Sequence, residues 1–208
     1  MMPYLRDPAA IYARSFEIIR AEADLSHLPA SAHAIAIRII HACGMVEAAS
    51  DLVITADFIH AAKAALADGK PILVDVEMTR HGIIQRQLPP GVEIICTLND
   101  PRARHFGIEN AVTRTAAAME LWRDKLEGSI VVIGNAPTAL FRLLEMIDDG
   151  ASKPAAIVGF PVGFVGAAES KAELIANPRG VPFATIKGRK GGSAMASSVI
   201  NALTGDQP

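Results

Sequence analysis

The chain predicts an α/β fold built on a mainly parallel sheet with helices on both faces. Three observations predict it: short, continuously apolar runs, helical segments between most of them, and a lack of hairpin turns. Half of the 208 residues are hydrophobic and a fifth are charged, enough for one sizeable core. No repeat or linker divides the chain. One domain over residues 1–208 is therefore expected, with 205–208 a loose tail.

The elements follow in order. Asp7-Pro8 joins an N-cap to a first-turn proline and starts a helix that runs to about Ala23. Residues 25–29 read as a turn. A second helix starts after Ser31 and runs through Ile35, Arg38 and His41 to Gly44. Residues 52–54 form a short strand, and 55–68 a helix closed by Gly69. A strand over 71–76 ends in a polar break at 77–82. Another strand covers 92–97. One long helix is expected over 108–126, ending at Gly128. The almost wholly apolar 129–133 is a strand, 137–149 a helix and 155–158 a strand. Residues 166–176 form a helix, 182–186 a strand and 193–203 the last helix.

Composition excludes several function classes. A net charge of −2 argues against broad nucleic-acid binding. Cys43 and Cys96 make neither a disulfide framework nor a metal motif, so reduced, buried thiols in a cytoplasmic protein are expected. The N-terminus has no signal-peptide pattern. The longest apolar run, 129–140, is broken by Gly134, Asn135 and Pro137, so no membrane span is expected. No dinucleotide fingerprint, P-loop, nucleophile elbow or metal-ligand spacing occurs, and no cofactor or metal is expected.

In open α/β sheets, ligands bind beyond the carboxyl ends of the strands. Polar residues collect there. Glu77, Thr79, Arg80 and His81 follow the second strand, and Asn99, Asp100, Arg102 and Arg104 the third. Asn135 and Thr138 follow the fourth. Gly-rich turns from Gly159 to Gly166 follow the fifth, and Lys187, Arg189 and Lys190 the sixth. Gly-rich turns expose backbone N–H groups to an anion, and three lysine and arginine side chains at the last turn point to a negatively charged ligand. Arg102 and Arg104 read equally well as solvated charges. Asn135 and Thr138 read equally well as helix caps or ligand contacts.

Of the six histidines, His27, His33 and His60 read as surface, capping or structural groups, and His81 and His105 lie in polar segments within reach of a ligand. His41 follows an isoleucine-rich run, with Arg38 three residues upstream on the same helical face. A partly buried imidazole beside a cation is pushed toward its neutral form. From the residues alone, a satisfied core histidine and a chemical one both stand.

Five ordered blocks carry a resemblance. They are Arg38-Ile-Ile-His41-Ala-Cys-Gly44-Met, Val76-Glu-Met-Thr-Arg-His-Gly82, Gly134-Asn-Ala-Pro-Thr-Ala-Leu-Phe141, the Gly159-to-Lys171 segment and Gly188-Arg-Lys-Gly-Gly-Ser193. Together they resemble the precorrin-8X methylmutase (precorrin isomerase) family across nearly the whole chain. The resemblance implies a three-layer, flavodoxin-like α/β/α fold and a homodimer. It implies an isomerase of cobalamin biosynthesis that moves a methyl group from ring carbon 11 to ring carbon 12 of the tetrapyrrole precorrin-8X, giving hydrogenobyrinic acid. His41 matches the family histidine that donates a proton to a ring nitrogen. Arg14, Ser15 and Arg114, in the matching segments Tyr12-Ala-Arg-Ser-Phe16 and Ala111-Val-Thr-Arg-Thr115, join Arg38, Thr79, Arg80, Asn135, Thr138, Lys187, Arg189 and Lys190 as expected substrate contacts. A large flat ring edged with carboxylates suits a pocket with apolar floor and several cations. A non-catalytic tetrapyrrole carrier and a generic nucleotide-binding enzyme are the rival readings.

Overall fold

The computed structural model describes residue 2 and residues 4–205. The chain-end expectation for 206–208 lies outside them. Six strands form one sheet in the order β1-β6-β5-β4-β2-β3. They are β1 (Leu52–Ile54), β2 (Ile72–Val74), β3 (Ile94–Ile95), β4 (Ile130–Ile133), β5 (Ala156–Gly159) and β6 (Phe183–Ile186). Five run parallel, with registers such as Ile72 opposite Ile130 and Ile157 opposite Phe183. The edge strand β1 is antiparallel to β6, Leu52 facing Ile186.

Period-two alternation sends the two faces of each strand into two cores. Ile72, Val74, Ile130, Val132, Val158 and Ala184 pack under α1 (Pro8–Glu22), α2 (His33–Cys43), α3 (Phe58–Ala67) and α9 (Ser193–Thr204). Leu73, Val131, Ile133, Ile157 and Phe183 pack under α6 (Arg114–Glu120), α7 (Pro137–Asp148) and α8 (Ala167–Ala176), with Trp122 and Met119 fully enclosed. The three-layer α/β/α arrangement expected from the sequence is present.

Several helix ends form as their residues dictate. The Asp7 carboxylate accepts from the Ala10 amide at 2.7 Å at the head of α1, and Gly44 closes α2 at φ 70°. Two segments depart from expectation. The polar 77–82 is not a break but a short helix, α4 (Glu77–Gly82), lying against α9. Gly82 allows this, because a Cβ there would sit 2.4 Å from the Ser197 hydroxyl. The long helix expected over 108–126 is two helices, α5 (Pro101–Glu109) and α6. Asp100 caps α5 through the Arg102 amide, Ala111 turns left-handed at φ 52°, and Thr113 restarts the chain by accepting from the Ala116 amide.

Beyond the carboxyl ends, β2 leads outward to β3, while β4, β5 and β6 extend the sheet the other way. The topological switch point therefore falls between β2 and β4, where α/β sheets open a crevice.

Candidate functional site

The switch point is bridged by a carboxylate that the sequence reading missed. Asp75, fully buried at the end of β2, accepts from the amides of Gly134, Asn135 and Ala136 at 2.9, 2.9 and 3.0 Å. Burial raises its pKa, and the three amides and Thr79 oppose that rise. Neither Asn135 nor Thr138 caps α7. Ala136 occupies the N-cap without a side-chain bond, and Asp75 takes the amides of the loop that leads into the helix. The only sequence signal was an acid at the end of an apolar run.

Thr79 was expected to touch substrate, but it is fully buried. Its hydroxyl lies 3.0 Å from Ser193 Oγ and 3.4 Å from Asp75 Oδ1, so it supports the crevice from below. Gly134 is required there, since a Cβ would meet Thr79 Oγ1 at 2.5 Å and Ser193 Cα at 2.7 Å. Asn135 is exposed above this network. Thr138 instead joins Thr113 at 2.8 Å and Thr115 at 3.2 Å, beside a cavity of about 510 Å³ lined by Phe106, Val112 and Phe141. Arg114 is exposed at the first position of α6.

The turns after β5 and β6 lock together. The Gly163 amide donates to the Arg189 carbonyl at 3.3 Å, and the Gly192 amide to the Phe160 carbonyl at 2.8 Å. A Cβ on Gly191 would sit 2.5 Å from the Phe160 carbonyl oxygen, which explains the glycine there. Lys187 and Arg189 are exposed. The Arg189 guanidinium stands 5.4 Å from the ring of Phe164, itself 83% exposed beside Val165. Lys190 reaches Asp51 at 3.3 Å, and the Lys187 amide donates to the Asp51 carbonyl at 2.9 Å. The antiparallel β1 thus brings its first end, not its last, to this edge.

The helical pair α1–α2 carries the histidine. Nδ1 of His41 lies 2.9 Å from Ser15 Oγ. The imidazole stacks on Phe16, with centroids 4.9 Å apart and planes at 26°, and meets Tyr12 edge-on at 5.6 Å. Arg38 donates from Nη1 to the Tyr12 hydroxyl, and its guanidinium lies 5.5 Å from the Phe16 ring. His41 is exposed as a residue, but its ring is partly buried, as expected: one face lies on Phe16 and the rest is open to solvent. Ile37 and Ile40 turn into the core, so the phase of α2 places His41 outward, against the aromatic side chains of α1. Desolvation by those rings, then the Arg38 charge, lower its pKa from the ordinary histidine value. Tyr12 and Phe16 were missed as site residues; their i, i+4 spacing on α1 was the available signal. The carboxyl end of α2 reaches the sheet edge: Lys190 is near enough to Cys43 to oppose the rise that burial imposes on its thiol.

Arg14 is engaged elsewhere, paired with Glu17 at 2.7 Å on the solvent side of α1. Arg80 is half-buried and 3.6 Å from Glu77. Among the described residues no group of three or more His, Cys, Asp or Glu side chains is placed to hold a metal ion, and no helix is long and apolar enough to cross a membrane.

Comparison with known proteins decides the family. The precorrin-8X methylmutase model, CbiC, matches residues 10–205. The chain belongs to the precorrin-8X methylmutase family. It is 58% identical over 200 residues to a precorrin-8X methylmutase of Sinorhizobium sp., covering 96% of this chain and 95% of that one. A precorrin-8X methylmutase of Pseudomonas aeruginosa is 54% identical, covering 98% of each chain. A cobalt-precorrin-8 methylmutase of Priestia megaterium is 34% identical, covering 97% and 89%. The crystal structure of the Thermus thermophilus precorrin-8X methylmutase superposes with a TM-score of 0.85 at 34% identity, covering 94% of each chain. The chain is accordingly an enzyme, an isomerase that relocates a methyl group.

Proposed function

We propose that this methylmutase, acting as a single 208-residue domain, moves the methyl group of precorrin-8X from ring carbon 11 to ring carbon 12 and so forms hydrogenobyrinic acid in cobalamin biosynthesis. The observation that carries the reading is the Ser15–His41 pair on its aromatic shelf, near an edge bearing Lys187, Arg189 and Lys190. With the Ser15 hydroxyl donating to Nδ1, the imidazole proton sits on Nε2. From there it can be given, or held as a strong hydrogen bond, at a pyrrolic nitrogen as the methyl group migrates. The migrating bond breaks and re-forms within one molecule, so the protein's task is to hold ring geometry and one protonation state. Arg38 stacks beside this site, Asn135 and Arg114 face solvent near the crevice and its cavity, and Arg14 and Arg80 meet carboxylates by exchanging their intramolecular partners.

The metal-free substrate is favoured over its cobalt form. The relatives named for precorrin-8X are 58% and 54% identical, whereas those named for cobalt-precorrin-8 are 34–37% identical. Exposed Phe164 and Val165 support a homodimer, with apolar surface for a second copy or for the ring. Such a pair needs roughly 1,000 Å² of buried surface.

Incubation of purified protein with precorrin-8X tests the reading. The absorption spectrum should change to that of hydrogenobyrinic acid while the product mass stays unchanged. Tight binding without spectral change would favour a carrier.

A further inference from the structure

Lys171 is the one lysine among the fully buried side chains of the described residues. It lies on α8, at the inward positions shared by Ala167, Ser170 and Leu174. Its Nζ donates to the carbonyl oxygen of Lys190. That carbonyl belongs to the turn whose side chains are Lys187, Arg189 and Lys190. The same turn is tied to the neighbouring one by Gly163–Arg189 and Gly192–Phe160, and to β1 by Lys190–Asp51. Lys171 holds the turn from beneath while Lys187 and Arg189 face outward and Lys190 reaches Asp51.

A buried ammonium that meets a carbonyl rather than a carboxylate is a costly way to fill space. Desolvation pulls its pKa down to about 8, with Asp51 opposing. A leucine or methionine would satisfy the core at that position more cheaply. The directional donor is what an apolar residue lacks. We infer that Lys171 is a positioning residue for substrate binding: its buried ammonium fixes the 187–192 turn, and so sets where the cations of that turn meet the substrate's carboxylates. The inference rests on the proposed role of those cations.

The test compares Lys171→Met, Lys171→Arg and the double variant Lys187→Ala/Lys190→Ala by steady-state kinetics with precorrin-8X. Lys171→Met should raise KM about tenfold while kcat changes less than about twofold, because the turn contributes binding rather than chemistry. Lys171→Arg, which keeps a charged donor, should recover most of that loss. Adding Lys171→Met to the double variant should raise KM little further, since the two changes act through one turn. An unchanged KM in folded Lys171→Met, with the double variant impaired, overturns this inference alone. An unchanged KM in the double variant overturns the cation reading itself. Should Lys171→Met not fold, Lys171→Gln takes its place, keeping a shorter, neutral donor. A KM for it like that of the wild-type protein would overturn the requirement for a buried ammonium.

Discussion

Ser15 and His41, twenty-six positions apart, are joined at 2.9 Å between Oγ and Nδ1 across the α1–α2 contact. The bond fixes which imidazole nitrogen is left for substrate. Replacing Ser15 by alanine should lower kcat about tenfold with little change in KM, the scale of one neutral hydrogen bond of about 1.4 kcal/mol. Single-turnover rates on bound precorrin-8X would show this, and a wild-type rate would detach Ser15 from the histidine's role.

His41→Asn keeps side-chain volume but loses the transferable proton. Turnover should fall roughly 10²–10⁴-fold while hydrogenobyrinic acid still binds. Equilibrium titration with the product and rate measurement on the same preparation check both halves. A near-normal migration rate would remove His41 from proton transfer.

The pH dependence has a definite sign. Desolvation and Arg38 both lower the pKa of His41, so its cationic form is lost as pH rises through a value below about 6.5. If the imidazolium is the donor, kcat/KM should fall across that window, and Arg38→Met should carry the fall to higher pH. A flat profile from about pH 5 to 8 would mean that the neutral imidazole acts, through its N–H, as a hydrogen-bond donor only.

Asp75→Asn should destabilise the protein by about 3 kcal/mol. The amide group would turn a donor toward backbone N–H groups that now meet an oxygen. Urea unfolding should show a lower midpoint with an unchanged slope. An unaltered midpoint would mean that the crevice does not depend on this carboxylate.

Lys171 gives a second pH signature, this time in stability. Its folded pKa of about 8 lies below the ordinary 10.5, so the folded state prefers the neutral amine. Its stability contribution is therefore present above about pH 10.5 and lost as pH falls through about 8. Relative to Lys171→Met, the wild-type unfolding free energy should rise between those values. Parallel curves for the two proteins would show that the ammonium is not desolvated.

Much of this arrangement was legible in the sequence, because burial on both sheet faces leaves unbroken apolar runs such as Ile130–Ile133, and helix caps such as Asp7 act locally. The direction of β1 was not legible. Three residues carry no mark of which way they pair, and the partner lies more than a hundred positions away. The corner at Ala111 was hidden because alanine gives no hint of a left-handed turn. In the site, glycines and cations at strand ends announced a ligand edge, and the family blocks singled out Ser15 and His41. Asp75 and Lys171 escaped notice because a single charge in an apolar context reads as a boundary or a solvated face until burial is known.

The pairing of β1 with β6 also has a consequence for the order in which the enzyme is made. The segment bearing Ser15 and His41 leaves the ribosome before its partners, for α2 packs chiefly on α9, and β1 pairs with β6. Both partners lie in the last 26 residues of the chain. The nascent helices must wait, with their apolar faces uncovered, until β6 and α9 have been made. A ribosome-stalled chain ending before Phe183 should therefore leave α1 and α2 open to protease, and release of the completed chain should close them.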